Sequence, residues 1–186
     1  MSLTRRSRHL LLIVIVAASW SLAAPPANAK SAVEIDVGVD ETLKQFFAEV
    51  GGAKALADKS AGLLVFPTVI KAGFGIGGEY GEGALRIGGE TADYYNTAAA
   101  SIGLQFGAQA RSVILMFMTD EALDEFRRSD GWEVGVDGSV ALITIGAGGA
   151  IDSHSITDPI IGFVFGEKGL MYNLTLEGSK MTKLNK

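Results

Sequence analysis

Cysteine is absent from the 186 residues, which excludes disulfides, thiolate-held zinc, iron–sulfur clusters and a cysteine nucleophile in one step. Proline is scarce at 4 residues, so no Pro-rich linker divides the chain. Charged residues make up only 20%, against the low apolar content and high net charge that general disorder needs. Basic residues fall short of acidic ones, 16 against 21, for a net charge of −5. Without a Lys/Arg run there is no footprint for nucleic acid and no polybasic strip for anionic headgroups. What the chain has is apolar residues, 48%, and 24 glycines, well above the usual glycine share of about 7%. The length suits one domain. Packing must stabilise it, and glycine must shape it.

Arg5, Arg6 and Arg8 precede an apolar run from Leu10 to Ala18, extended by Trp20 and Leu22, and Ala27-Asn28-Ala29 closes the segment. A positive start, a short apolar centre and an Ala-x-Ala end predict an export signal over residues 1–29, cleaved after Ala29. A membrane anchor fits less well, because the apolar run is shorter than the ~20 residues that span a bilayer and Pro25-Pro26 follows it. The Arg5-Arg6 pair hints at twin-arginine export, but Arg8 stands where that signal prefers an apolar residue. Cleavage removes three arginines and no acid, taking the net charge from −5 to −8. The expected location is the periplasm or cell envelope, with secretion as the variant.

Residues 30–39 read as a short polar–apolar lead-in, loose at its start, and 40–186 as the domain. Asp40 is the expected helix cap, and Leu43, Phe46, Phe47 and Val50, continued by Ala53 and Ala57, recur at helical spacing. Gly51-Gly52 predicts a break or two short helices. From Gly62 the pattern turns extended. Strands are expected at Gly62–Phe66, closed by Pro67, and at Val69–Ile76, Ala84–Ile87, Ile102–Phe106, Val113–Met118, Glu133–Val136, Val140–Ile145, Ile160–Phe165 and Leu170–Leu176. Glu167-Lys168-Gly169 reads as a hairpin turn, and Asp137-Gly138 as a turn or a bulge. One mid-chain helix is predicted over Glu121–Arg128, capped by Thr119 or Asp120. Glycines at 73, 75, 77, 78, 81 and 83 suit strongly bent strands and tight turns. The fold class expected is α+β: a glycine-rich, mainly antiparallel sheet of six to eight strands, strongly curved or partly closed, with an N-terminal amphipathic helix and one mid-chain helix.

Motifs for chemistry are weak. Gly73, Gly75 and Gly78 have dinucleotide-site spacing, but Glu79-Tyr80-Gly81-Glu82-Gly83 follows instead of a helix. His154 is the one histidine left after cleavage, within a polar stretch holding Asp152, Ser153, Ser155, Thr157 and Asp158, and no G-x-S-x-G elbow accompanies it. Asp120, Glu121, Asp124 and Glu125 complement a helix N-terminus better than they make a metal loop. Asn173-Leu174-Thr175 is a formal sequon inside an expected strand. Val113–Met118 is apolar on both faces, so it lies beneath covering elements or lines a cavity. Tyr94-Tyr95 and Trp132 near turns suit either packing or a water–lipid boundary. Lys168, Lys180, Lys183 and Lys186 form a small basic patch.

Several long stretches are familiar together and in order: AGLLVFPTVIKAGFGIGGEYGEG from Ala61, GLQFGAQARSVILMFM from Gly103 with the helix Glu121–Phe126, WEVGVDGSVA from Trp132, and FVFGEKGLMYNLTLEGSKMTKL from Phe163. They resemble the SYLF-domain family, found in bacterial exported proteins and in eukaryotic membrane-traffic and actin regulators. The resemblance implies a non-enzymatic domain without cofactor that associates with lipid, and in some eukaryotic members with actin. Phosphoinositide binding there is attributed to basic surface and an N-terminal amphipathic segment. The lead-in here departs from that, carrying Glu34, Asp36 and Asp40 among Val33 and Ile35. Actin is not expected in an exported protein's compartment.

The expected function is therefore a non-catalytic, lipid-associating protein of the bacterial cell envelope. The alternative is an exported scaffold or assembly protein whose apolar stripe meets a protein partner or a second copy. With an acidic chain, attraction to lipid rests on apolar contact, each buried methylene contributing about 0.8 kcal/mol. Phe46, Phe47 and Val50 are the candidate lipid contacts, and Lys44, Lys54, Lys71 and Lys168 the candidate headgroup contacts. The stripe could equally cap the sheet. A third reading, hydrolysis at His154, is tested by replacing that residue.

Overall fold

A computed structural model describes residues 29–143, 151, 157–166, 169–170 and 176–186. Its first helix, α1 (Ala32–Glu49), begins eight residues before Asp40, so most of the lead-in is helical. The reason is a capping box: the Ser31 hydroxyl accepts from the Glu34 amide at 3.3 Å, and the Glu34 carboxylate accepts from the Ser31 amide at 2.7 Å. The amide bond from Ser31 holds the Glu34 carboxyl below its ordinary range. Ile35, Val39, Thr42 and Phe46 then form one buried stripe, and Asp40 lies within the helix. Gly52, with φ of +83°, stands ahead of α2 (Ala53–Ala57), so the expected break at Gly51-Gly52 separates two helices.

Two long strands dominate. The expected pieces from Gly62 onward merge into β1 (Gly62–Ile87) and β2 (Glu90–Phe117), an antiparallel hairpin turned at Gly88-Gly89, both at positive φ. Tyr94 and Tyr95 therefore lie in a strand rather than a loop. Pro67 does not close β1, because the register slips between Phe66 and Val69. A bulge is where a residue without an N–H is tolerated, and Ser112 Oγ donates to the Pro67 carbonyl across it at 2.7 Å. Glycine-rich β1 doubles back over itself. A Cβ on Gly83 would stand 2.1 Å from the Val65 carbonyl oxygen, and one on Gly81 would stand 2.8 Å from that of Thr68. Lys71 Nζ, 3.1 Å from Glu79, and Arg111, which also pairs with Glu79, brace this bend.

On its other edge β2 pairs with β7 (Lys180–Leu184) along Tyr94–Ala98 and with β5 (Ile160–Gly166) along Ser112–Phe117. β3 (Trp132–Glu133) extends β7, while β4 (Ala141–Leu142) and β6 (Gly169–Leu170) flank β5. The result is a curled half-barrel of seven strands among the described residues, antiparallel except for β4 against β5. Gly166 pairs with Gly169, and Glu167-Lys168 of the expected hairpin turn lie outside the described residues. Asp137-Gly138 does turn the chain, its Asp137 carboxylate accepting from the Glu133 amide at 2.7 Å. It joins no hairpin, since β3 and β4 pair elsewhere. The strand expected to Val136 ends at Glu133. The mid-chain helix is α3 (Asp120–Arg128), capped by the Thr119 hydroxyl.

The sheet separates two cores. Val113, Leu115 and Phe117 face one, with Phe66, Tyr95, Phe126 and Trp132; Ile114 and Met116 face the other, with Ile35, Val39, Phe46 and Phe163. Period-two alternation along one doubly buried strand supplies both. Tyr95 and Trp132 thus belong to packing, around Phe126 with ring centroids 4.8 and 5.6 Å away. Burial, with the Asp93 carboxylate nearby, pushes the Tyr95 phenol up to about 12. Because the folded state disfavours its phenolate, the resulting stabilisation is intact below pH ~10 and lost as pH rises from there towards about 12. An absorbance titration should show this tyrosine ionising last, and Tyr95→Phe should remove that late step.

Candidate functional site

Where α1 and α2 meet the turn of the β1–β2 hairpin, the surface sinks into a groove of about 330 Å³, at the lower end of the roughly 300–1,000 Å³ of ligand pockets. Leu43, Phe47, Ala57 and Leu63 supply apolar lining, with Lys54, Asp58, Asp40 and Arg86 among them. Helical spacing puts Leu43 and Phe47 one turn apart on α1, and the Gly52 break swings α2 round to place Lys54 Nζ 5.9 Å from the centre of the Phe47 ring.

Two acids of α1, Asp36 and Asp40, prove to be fasteners. Asp36 accepts from Thr91 Oγ1 and from the Tyr94 hydroxyl, each at 2.7 Å, and Arg86 lies 2.7 Å from Asp40 and 3.4 Å from Asp36. The hydrogen bond to Asp36, with burial, raises the Tyr94 phenol above its ordinary value. Negative charge in this segment is thereby matched internally and docks the helix on the hairpin. Asp36→Ala leaves two hydroxyls and a guanidinium short of their acceptor, so urea unfolding should register a loss of about 1–3 kcal/mol.

The other candidate residues scatter. Phe46 and Val50 are buried in the core, Phe46 against Phe163 at 5.0 Å, and present nothing to a bilayer. Phe47 is half-buried and Lys54 exposed, and the groove unites these two. Lys44 is exposed on α1. Lys71 is engaged with Glu79 at the hairpin bend. Lys168 lies outside the described residues, as do His154 with its neighbours 152–156, and Asn173-Leu174-Thr175. Gly73, Gly75 and Gly78 sit within β1 with no helix after them. Asp120 and Glu121 occupy the first turn of α3, and among the described residues no acid or histidine cluster could hold a metal. The basic tail is internally matched, Lys183 with Asp93 and Lys186 with Glu82. Sequence reasoning missed Leu43 and Leu63 as groove residues and Arg86 as the docking cation. Arg86 has no local signal, because its partners lie 46 and 50 residues away.

Residues 98–186 match the family model described as Ysc84, Las17-binding protein actin regulator. The match covers the C-terminal part of the chain, just under half of its length. The SYLF family described by that model is a lipid-binding and actin-regulating domain, in general non-enzymatic. The matched segment spans most of β2, all of α3 and β3 to β7. The α1–α2 lid of the groove lies ahead of it. No curated protein matches the chain.

Proposed function

We propose that the protein associates with lipid at the bacterial cell envelope, seating an acyl segment in the groove between α1, α2 and the hairpin turn. The observation that carries this reading is the apolar floor of Leu43, Phe47, Ala57 and Leu63 beside the cationic Lys54 and Arg86. Arg86 Nε, buried, has no hydrogen-bond partner among the described residues. Among those residues no helix is long and apolar enough to cross a membrane. With the mature charge at −8, contact is apolar first and electrostatic second. The export signal over residues 1–29 supports the envelope as the setting, and in that setting actin is not the partner.

Burying half of a phenylalanine contributes about 1.4 kcal/mol, roughly tenfold in affinity. Phe47→Asp should therefore weaken co-sedimentation with phosphatidylcholine vesicles at least tenfold while urea unfolding still shows a folded protein, and Leu43→Gln should act in the same direction. If both variants stay folded and sediment like the parent, the groove is not the lipid site. The scaffold alternative has its own support: Val33 and Val37, one helical turn apart, are 71% and 53% exposed. Undiminished vesicle binding in Phe47→Asp together with a defined oligomer lost in Val33→Ser/Val37→Ser would favour it.

A further inference from the structure

Glu82 is a buried carboxylate, 5% exposed, in the middle of a glycine-rich strand, and both ends of the described chain converge on it. Tyr80 donates its hydroxyl to Oε1 at 2.8 Å. Lys186 Nζ stands 3.1 Å from Oε2 and also donates to the Lys30 carbonyl. The backbone nitrogen of Lys30 donates to that same Oε2 at 3.1 Å. Burial opposes ionisation of Glu82, but the Tyr80 hydroxyl and the Lys186 ammonium outweigh it and hold the carboxyl below its ordinary range.

Lys30 follows Ala29, the residue after which the export signal is expected to be cut. We infer that removal of residues 1–29 completes the Glu82 site, by turning the Lys30 amide into an α-ammonium already seated on the carboxylate. The inference rests on the export reading. The step is a hydrolysis by an endopeptidase of small-x-small specificity: water adds across the Ala29–Lys30 amide, Ala29 leaves with a carboxylate, and the Lys30 nitrogen keeps the electron pair and takes a proton. An α-amine ionises with a pKa of about 7.7–8.0, so the product is largely cationic at neutral pH. A neutral donor to the carboxylate becomes a cationic one without movement of the nitrogen, adding ion pairing to the hydrogen bond. Ala29 and Lys30 are exposed, so the bond can be reached while Glu82 is not. The mature protein then has its N-terminus and Lys186 tied to one buried acid, and α1 starts two residues later. Processing acts as a latch on the fold rather than only as release.

The test expresses the full chain in an exporting bacterial host, takes the intact mass of the product, and follows acetylation of its amines by peptide mass spectrometry near neutral pH. The product should begin at Lys30. Its α-amine should react about tenfold slower in native protein than in urea, and about tenfold slower than in Glu82→Gln, with the exposed Lys44 amine serving as internal reference. Lys186→Met, which leaves the Lys30 contact in place, should keep the slow reaction and provides the folded variant if Glu82→Gln does not fold. A product beginning at Lys30 whose α-amine reacts equally fast in native and unfolded protein overturns the latch and leaves export standing. An uncut chain, or one cut elsewhere, overturns both.

Discussion

Gly83→Ala should leave no folded protein to assay. The added carbon would sit 2.1 Å from the Val65 oxygen, 2.7 Å from Phe66 Cδ1 and 2.8 Å from the Val65 carbonyl carbon. Two of these neighbours are backbone, with no rotamer to yield, and the third is a ring fully buried in the core. Relief requires the two arms of β1 to separate, which opens both cores; we expect a loss beyond about 4 kcal/mol, the exceptional end of single substitutions. Against a usual total of about 5–15 kcal/mol, that is enough to unfold a domain. Gly78→Ala is the matched control. Its new carbon meets only the Ala99 carbonyl at 3.5 Å, an ordinary contact, so its urea midpoint should stay within about 0.5 kcal/mol of the parent. Soluble yield and urea unfolding of the two variants separate a steric crossing from a general need for glycine.

Phe46→Ala should cost about 3–5 kcal/mol of stability, the usual range for emptying a buried phenylalanine site. Phe46 is fully buried between Phe163 and its neighbour Phe47, so truncation leaves a hole that only α1 or β5 could fill by shifting. Phe47→Ala, on the groove wall, should cost far less. A double variant of the pair would lose lipid binding through unfolding and say nothing about contact. Unfolding curves of the two single variants should differ by at least about 2 kcal/mol, and equal curves would place both rings in the same environment.

Much of the local architecture is legible in the sequence because its signals are local. Thr119 with the acids that follow specifies α3, and the alternating apolar run from Val113 specifies a strand covered on both sides. Ser31 and Glu34 carry a local signal too, a capping box three residues apart, which competes in the sequence with Asp40 as a cap. The alternation Lys180-Met181-Thr182-Lys183 marks β7, with Met181 buried, yet the lysines read as a basic patch. Glycine spacing indicates bending but not what is approached, since the carbonyls facing Gly81 and Gly83 belong to residues a dozen or more positions away. Phe46 and Phe47 share one amphipathic stripe in the sequence. Only the curvature of the sheet beneath decides which ring enters the core and which borders the groove. Two partners of Glu82, Lys30 and Lys186, lie 52 and 104 residues off, beyond any pattern of neighbours.

The central strand β2 has consequences for the order in which the molecule can form. Its partner β1 comes from the adjacent segment, so the ribbon can zip early, but the opposite rim of β2 waits for β5 and β7 from far down the chain. Pairings between distant segments are slow to close, and an unfilled rim is a template for adhesion between molecules. Until the last strand emerges, this polypeptide carries a long, sticky, half-dressed ribbon. Loss of a few terminal residues would therefore be felt less as a shorter protein than as one prone to clumping.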